Sequence, residues 1–155
     1  MEPAPVRIAA ELRAFGLQSP VLQLSAQLRS AAELAAPLGA EPDQVVQSCV
    51  AAVGHTPVLI MAGGDHQVAW PRLERRLQSP LVKASADDAR RFSGCPAGFI
   101  APIGWPEPPL AFMDERLLEF DYVYASAGAP GRLFGLPPLE LARITSADIV
   151  DLIDG

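Results

Sequence analysis

Glycine and proline crowd one stretch of the chain, residues 93–104, which holds three glycines and two prolines among twelve residues. Proline fixes its own φ and lacks a backbone N–H, so this run cannot continue a helix or a central strand. We therefore predict a rigid loop, extended by further prolines up to residue 109. Glycine lets a backbone approach a ligand closely and point N–H groups at it, but the same composition also makes a tight connector. No Gly-Lys-Ser or Gly-Lys-Thr follows, which excludes a Walker-type phosphate loop.

Short segments of both kinds flank this loop. Helical spacing and cap residues predict helices over residues 6–15, 31–38, 70–77, 85–92 and 138–144. Apolar or β-branched runs bounded by turn residues predict strands over residues 21–24, 43–53, 58–62, 81–84, 110–113, 122–126 and 133–136. A helical turn should begin at Asp114, and a final turn over residues 146–153 should bury Ile149, Leu152 and Ile153. Short strands without a regular β–α–β rhythm indicate the α+β class.

Length and charge bound what such a chain can be. Its 155 residues are most simply one domain spanning residues 1–155. Half of the residues are apolar and 19% are charged, which excludes intrinsic disorder. The 12 basic and 18 acidic residues give a net charge of −6. This balance argues against a protein that coats nucleic acid, because such binding needs many Lys or Arg contacts to phosphate. It leaves room for one local basic pocket.

Cysteine and histidine are scarce. The chain has only Cys49, Cys95, His55 and His66, and they lack the spacing of metal ligands, so we predict neither a disulfide framework nor a metal or cofactor site. The N-terminal residues lack the basic and apolar regions of a signal peptide. No apolar run approaches the roughly 18 residues of a membrane span. We expect a cytoplasmic protein without a membrane partner.

Two polar residues at strand ends are candidates for a site. Ser126 ends a predicted strand beside Gly128, where its hydroxyl can face a cleft or cap a turn. A nucleophilic role is disfavoured because the chain has neither a Gly-x-Ser-x-Gly context nor a nearby histidine. Asp114 follows an apolar strand, and it can serve as a helix N-cap, as a cleft carboxylate or as both.

The order of several segments goes further than these single residues. Residues 38–48, then 93–94 with 98–104, then Asp114 and then residues 124–128 resemble the YbaK/prolyl-tRNA-synthetase-associated domain family, with a match from about residue 30 to residue 153. The resemblance implies a curled, mostly antiparallel and partly barrel-like sheet with short helices packed outside. It also implies a deacylase that acts in trans and hydrolyses the ester between a wrong, small amino acid and its tRNA.

The resemblance also assigns site residues. The family's Gly-x-x-x-Pro loop matches Gly98, Phe99, Ile100, Ala101 and Pro102. Its backbone is expected to hold the aminoacyl carbonyl and to help place the attacking water, which agrees with fixed N–H donors that stabilise an oxyanion. The terminal ribose hydroxyl of the substrate would assist, so no catalytic triad is needed. The substrate pocket would further include Ser126, which tunes the choice of amino acid, together with Gly128 and Asp114.

The sequence departs from the family at position 47. Members usually carry a lysine there, which meets the terminal phosphate of the tRNA, but this chain has Gln47. Glutamine donates hydrogen bonds but carries no charge. Either another cation supplies the charge, with Arg72, Arg132 and Lys83 as candidates, or the domain is a catalytically silent module that binds tRNA, a small ligand or a synthetase. The expected partner is the 3′ end of an aminoacyl-tRNA, with a synthetase or an elongation factor as a further partner, and no DNA.

Overall fold

Two β-sheets form the frame of the fold in the computed structural model, which describes residues 3–153. One sheet has the strand order β4-β2-β3-β5-β8 and the other has the order β1-β7-β6. The strands are β1 (Leu22–Gln23), β2 (Val46–Val53), β3 (Thr56–Gly63), β4 (Val82–Lys83), β5 (Leu110–Asp114), β6 (Val123–Ser126), β7 (Arg132–Leu136) and β8 (Asp148–Val150). The helices are α1 (Ala4–Ala14), α2 (Ala31–Leu38), α3 (Trp70–Leu77), α4 (Ala86–Ser93) and α5 (Pro138–Thr145).

The hairpin β2–β3 is the centre of the larger sheet. The two strands pair antiparallel across a turn at Gly54, and β3 pairs parallel with β5 on its other side. β3 is buried on both faces: Leu59 and Met61 point into one apolar cluster, while Val58 and Ile60 point into another. Alternate side chains of a strand point to opposite faces, so a central strand with two covered faces reads as a continuous apolar run.

Two helices begin as their cap residues predict. The Ser30 hydroxyl accepts a hydrogen bond from the Glu33 N–H at 3.1 Å, and Glu33 Oε1 accepts one from the Ser30 N–H at 3.0 Å, so the capping box of α2 is confirmed. The hydrogen bond that the Ser30 N–H donates to the Glu33 carboxylate lowers the pKa of that carboxyl. The predicted Ser85 cap of α4 is also confirmed, with the Asp88 N–H donating to its hydroxyl at 3.1 Å.

Two predicted elements are wrong in detail. The strand expected from Asp43 starts only at Val46, because Pro42–Gln44 form a 3₁₀ turn in which Gln44 Oε1 accepts the Glu41 N–H at 2.9 Å. The expected final turn contains β8, a third strand in the parallel run β3-β5-β8. Ile149 is consequently 37% exposed, whereas Leu152 and Ile153 are buried as predicted.

The α+β class and the mostly antiparallel pairing are confirmed, and within residues 3–153 the two sheets do not close into a barrel. A single parallel bridge between Val45 and Tyr124 links the two sheets in the described part of the chain. None of the helices within residues 3–153 is long and apolar enough to cross a membrane. Residues 1, 2, 154 and 155, which the single-domain prediction includes, lie outside the described range.

Candidate functional site

A cavity of about 190 Å³ opens where β2 and β7 begin and β6 ends. Its lining is apolar with few charges, which are supplied by Arg29, Asp65 and Arg132. Its walls come from distant parts of the chain, namely residues 28–34, 45–48, 64–65, 98–100 and 126–133. A concave apolar pocket with a few convergent polar groups is the usual form of a ligand site.

The cavity gathers about half of the residues that the sequence assigns to a site. Those that line it are Gln47, Gly98, Phe99, Ile100 and Ser126. Ala101, Pro102, Gly128 and Asp114 are not part of its lining. Within the stretch 98–102, residues 98–100 thus line the cavity, and residues 101 and 102 do not.

The next residues of the loop, 101–103, are fixed by contacts with the rest of the protein. Ala101 is fully buried, and its carbonyl oxygen accepts a hydrogen bond from Trp105 Nε1 at 2.7 Å. Pro102 lines a different cleft, beside Trp105. Ile103 is buried in the main core. These contacts hold the loop so that residues 98–100 lie along the cavity.

Two backbone N–H groups of residues 98–100 are not hydrogen-bonded within residues 3–153. The Phe99 N–H donates to the Pro96 carbonyl at 3.0 Å. The N–H groups of Gly98 and Ile100 donate to no acceptor within the described part of the chain. Gly98 has a φ of +88°, a left-handed conformation that favours glycine. Backbone N–H groups without an acceptor, on a loop that lines a cavity, are free to donate to an oxyanion bound there.

Ser126 has both of the roles that its place at a strand end allows, facing a cavity and capping a turn. It lines the cavity, and its hydroxyl accepts a hydrogen bond from the Gly128 N–H at 3.1 Å. The hydroxyl therefore caps the turn after β6 while its side chain contributes to the wall. Gly128 acts behind this wall, because a methyl group there would lie 2.6 Å from Cβ of Ala4 and 3.3 Å from Sγ of Cys95.

Asp114 is a structural carboxylate in this fold. Its side chain is 1% exposed, and Oδ1 accepts the Leu152 N–H at 2.9 Å and Nη1 of Arg116 at 3.2 Å. Oδ2 accepts the Arg116 N–H at 3.3 Å, so the predicted N-cap is confirmed. Arg116 also reaches Asp151 at 2.9 Å, and this hydrogen bond lowers the pKa of the Asp151 carboxyl. Asp114 therefore secures the C-terminal segment to the end of β5, outside the cavity.

Comparisons with known proteins decide the family. The family model of the aminoacyl-tRNA editing domain matches residues 25–144. The chain belongs to the aminoacyl-tRNA editing domain family. The match covers α2, β2, the glycine- and proline-rich loop and β6 with β7, and it confirms the resemblance drawn from the sequence.

This editing domain is similar to parts of proline–tRNA ligases and to a solved structure that it matches over nearly its whole length. A proline–tRNA ligase of Bacillus licheniformis is 30% identical over 128 residues, or 79% of this chain and 22% of the ligase. One of Levilactobacillus brevis is 30% identical over 97 residues, or 62% of this chain and 16% of the ligase. The chain thus spans about a fifth of these ligases. A crystal structure described as a candidate trans-editing enzyme for prolyl tRNA synthetase superposes with a TM-score of 0.95 at 31% identity, covering 100% of this chain and 99% of the other.

The side chain at position 47 of this editing domain is uncharged, and its amide forms hydrogen bonds within the protein. Gln47 Nε2 donates to the His66 carbonyl at 2.6 Å, and its Oε1 accepts from Cys49 Sγ at 3.7 Å. Burial raises the pKa of the Cys49 thiol, which keeps the thiol protonated as a donor. Gln47 therefore contributes an amide to the cavity wall and no charge.

Cations reach the cavity of the editing domain from elsewhere. Of the three candidates from the sequence, Arg132 lines the cavity. The other two, Arg72 and Lys83, do not line it. Arg72 pairs with Asp151 at 2.9 Å, and Nζ of Lys83 lies 4.9 Å from the ring centroid of Trp70. Arg29, which the sequence does not indicate, also lines the cavity, and its Cζ lies 5.0 Å from the ring centroid of Phe99 in the loop.

Nothing in the local sequence pattern marks Arg29, because Phe99, the ring on which it stacks, lies far away along the chain. No group of three or more His, Cys, Asp or Glu side chains within residues 3–153 is placed to hold a metal ion.

Proposed function

We propose that this editing domain is an aminoacyl-tRNA deacylase that acts in trans on tRNA charged with a small, wrong amino acid. Water attacks the ester carbonyl, the ester C–O bond breaks, and the ribose oxygen leaves with a proton. The substrate's own neighbouring ribose hydroxyl is the group that orients this water. The products are the free amino acid and an uncharged tRNA.

The observation that carries the proposal is the pair of unpaired N–H groups of Gly98 and Ile100 on the cavity-lining loop. As water adds to the carbonyl, negative charge collects on its oxygen, and fixed N–H donors stabilise that charge without reorganising. Removing one such donor typically slows an acyl-transfer reaction about 10²–10³-fold. Catalysis by the loop backbone also agrees with the described residues that line the cavity, which include Ser48 and Ser126 but no histidine that could activate a hydroxyl.

The lining of the cavity supports selection of the amino acid by size. Apolar side chains such as Leu28, Leu34 and Leu133 form part of its wall. An apolar pocket excludes larger side chains by steric clash, but it discriminates poorly among smaller ones. We therefore expect selection by an upper size limit.

The decisive experiment measures deacylation of tRNAs charged with Ala, Ser, Thr, Cys or aminobutyrate by the purified protein. We expect turnover of at least one of these substrates and none of tRNA charged with a large residue such as leucine. No turnover on any of the five at micromolar enzyme would overturn the proposal.

A silent binding module is the second candidate, and the neutral Gln47 favours it. Gln47→Lys separates the two functions. An editor that uses Arg29 or Arg132 in place of the lysine should change its rate only modestly, about threefold or less. A rise from no detectable activity to clear turnover would instead assign the natural protein to the silent class.

Arg29 and Arg132 are expected to bind the phosphates of the tRNA 3′ end. Neither makes an ion pair within residues 3–153, whereas Arg72, Arg76, Arg91, Arg116 and Arg143 do. Guanidinium groups bind phosphate well and also stack on aromatic rings, as Arg29 does on Phe99.

Replacing both arginines with glutamine should weaken binding to tRNA roughly 10-fold and flatten its salt dependence, because each lost phosphate contact lowers the slope of log K against log salt by roughly one unit. Filter binding across a salt series measures both. Arg75→Gln is the matched control, since Arg75 is exposed on α3 and does not line the cavity. Equal losses in the control and the double variant would contradict the assignment.

A further inference from the structure

Helix α1 reaches across the fold to both ends of the glycine- and proline-rich loop. Nη2 of Arg7 donates to the Gly94 carbonyl at 2.9 Å, and Nη1 donates to the Gly104 carbonyl at 3.3 Å. Gly94 ends α4, and Gly104 closes the loop, so the two acceptors flank residues 95–103. One side chain near the N-terminus thus joins both ends of a segment that lies 87 to 97 residues further along the chain.

The chemistry of the guanidinium group suits this arrangement. Its donors lie in one rigid plane and diverge as a fork, so a single head group can hold two carbonyl oxygens at a fixed separation. The third donor, Nε of Arg7, is buried and has no partner within residues 3–153. The two carbonyl oxygens are therefore the acceptors that set the position of the head group.

Close packing brings the rest of α1 against the same region. A methyl group at Gly104 would lie 2.8 Å from Cδ1 of Ile8, and one at Gly128 would lie 2.6 Å from Cβ of Ala4. The helix therefore contacts the loop that carries Gly98 and the turn that follows Ser126. Both of these segments contribute residues to the lining of the cavity.

We propose that Arg7 is a positioning residue for the deacylation, a role that rests on the proposed function. By holding Gly94 and Gly104 at a fixed distance, it sets the course of the loop and therefore the places of the Gly98 and Ile100 N–H groups. A misplacement of about 1 Å in such groups can cost 10²-fold in rate, because oxyanion stabilisation depends on geometry. Arg7 itself lies outside the cavity lining, so it acts through the loop.

The test compares Arg7→Ala and Arg7→Lys with the wild type in single-turnover deacylation. We expect Arg7→Ala to lower the maximal rate roughly 10- to 100-fold and to change the affinity for tRNA less than twofold. Lysine offers a compact ammonium in place of the planar fork, so Arg7→Lys should recover only part of the rate. Arg13→Ala is the matched control, since it removes the same charge from an exposed position of the same helix.

Hydrogen exchange provides a readout that does not depend on activity. The Phe99 N–H is protected by its bond to the Pro96 carbonyl inside the loop, and we expect it to exchange about 10-fold faster in Arg7→Ala. An unchanged Phe99 exchange rate would overturn the role of Arg7 whether or not the wild type deacylates tRNA. Faster exchange spread equally over β3 and β5 would also overturn it, because that result indicates general destabilisation. A wild type inactive on every substrate would overturn the proposed function itself.

Discussion

Asp114→Ala is expected to lower the free energy of unfolding by roughly 2–4 kcal/mol, measured by urea denaturation at neutral pH. The buried carboxylate of Asp114 accepts the Leu152 N–H and Nη1 of Arg116. Alanine accepts neither, so the Leu152 N–H stays buried without a partner, and a buried donor in that condition costs about 1–3 kcal/mol. The N-cap of the following 3₁₀ turn is lost as well, which adds about 1 kcal/mol.

Asp114→Asn is the control for this prediction. Its amide oxygen can still accept the Leu152 N–H, but it carries no charge for Arg116. We expect a loss of about half that of the alanine variant. Asp151→Ala, which removes the exposed carboxylate that Arg116 and Arg72 share, should cost least of the three. A stability of Asp114→Ala within about 0.5 kcal/mol of the wild type would contradict the structural role of this carboxylate.

Gly131→Ala is expected to cost about 2–4 kcal/mol of stability and to deform the cavity. Gly131 has a φ of +71°, and a Cβ there would overlap the Leu24 carbonyl oxygen and lie 2.9 Å from the Ser25 carbonyl oxygen. The obstacle is backbone, which cannot rotate away as a side chain can. The Leu24 N–H also donates to the Gly131 carbonyl at 2.8 Å, so a shift of either segment breaks this bond.

Gly54→Ala is the control that separates the strain of a left-handed residue from the steric overlap at Gly131. Gly54 has a φ of +59°, but no atom lies within 4 Å of the position that a Cβ would take. Both variants therefore carry the strain of a left-handed residue, which is about 1–2 kcal/mol. Thermal or urea unfolding of the two should differ by about 1–3 kcal/mol, with Gly131→Ala the less stable. Equal losses would mean that the neighbouring backbone yields freely.

Local chemistry explains which parts of the fold the sequence predicts well. Helix α2 follows from the reciprocal Ser30 and Glu33 cap and from Gly39 at its end. The loop follows from its glycines and prolines, which need no tertiary context to interrupt regular structure. Strand β8 could not be predicted in this way, because its pairing with β5 depends on a partner more than thirty residues earlier.

The residues of the candidate site also differ in whether the sequence identifies them. Gly98 and Ile100 are found from the loop composition and the family resemblance, and Ser126 from its place at a strand end. Arg29 and Arg7 are not found, because their roles rest on Phe99 and on two carbonyl oxygens that are distant in sequence. Asp114 was expected in the substrate pocket but lies outside the cavity lining, since its partners come from the C-terminal segment.

The scattered origin of the cavity walls has a consequence for folding kinetics. Segments between residues 28 and 133 must all be in place before the cavity exists, and the Arg7 contacts add a link of 97 residues. Pairings between distant segments form late, because the entropy of closing long loops is lost before their contacts form. A nascent or partly refolded chain therefore has no competent cavity, and the ability to bind a ligand there appears only with the complete native topology.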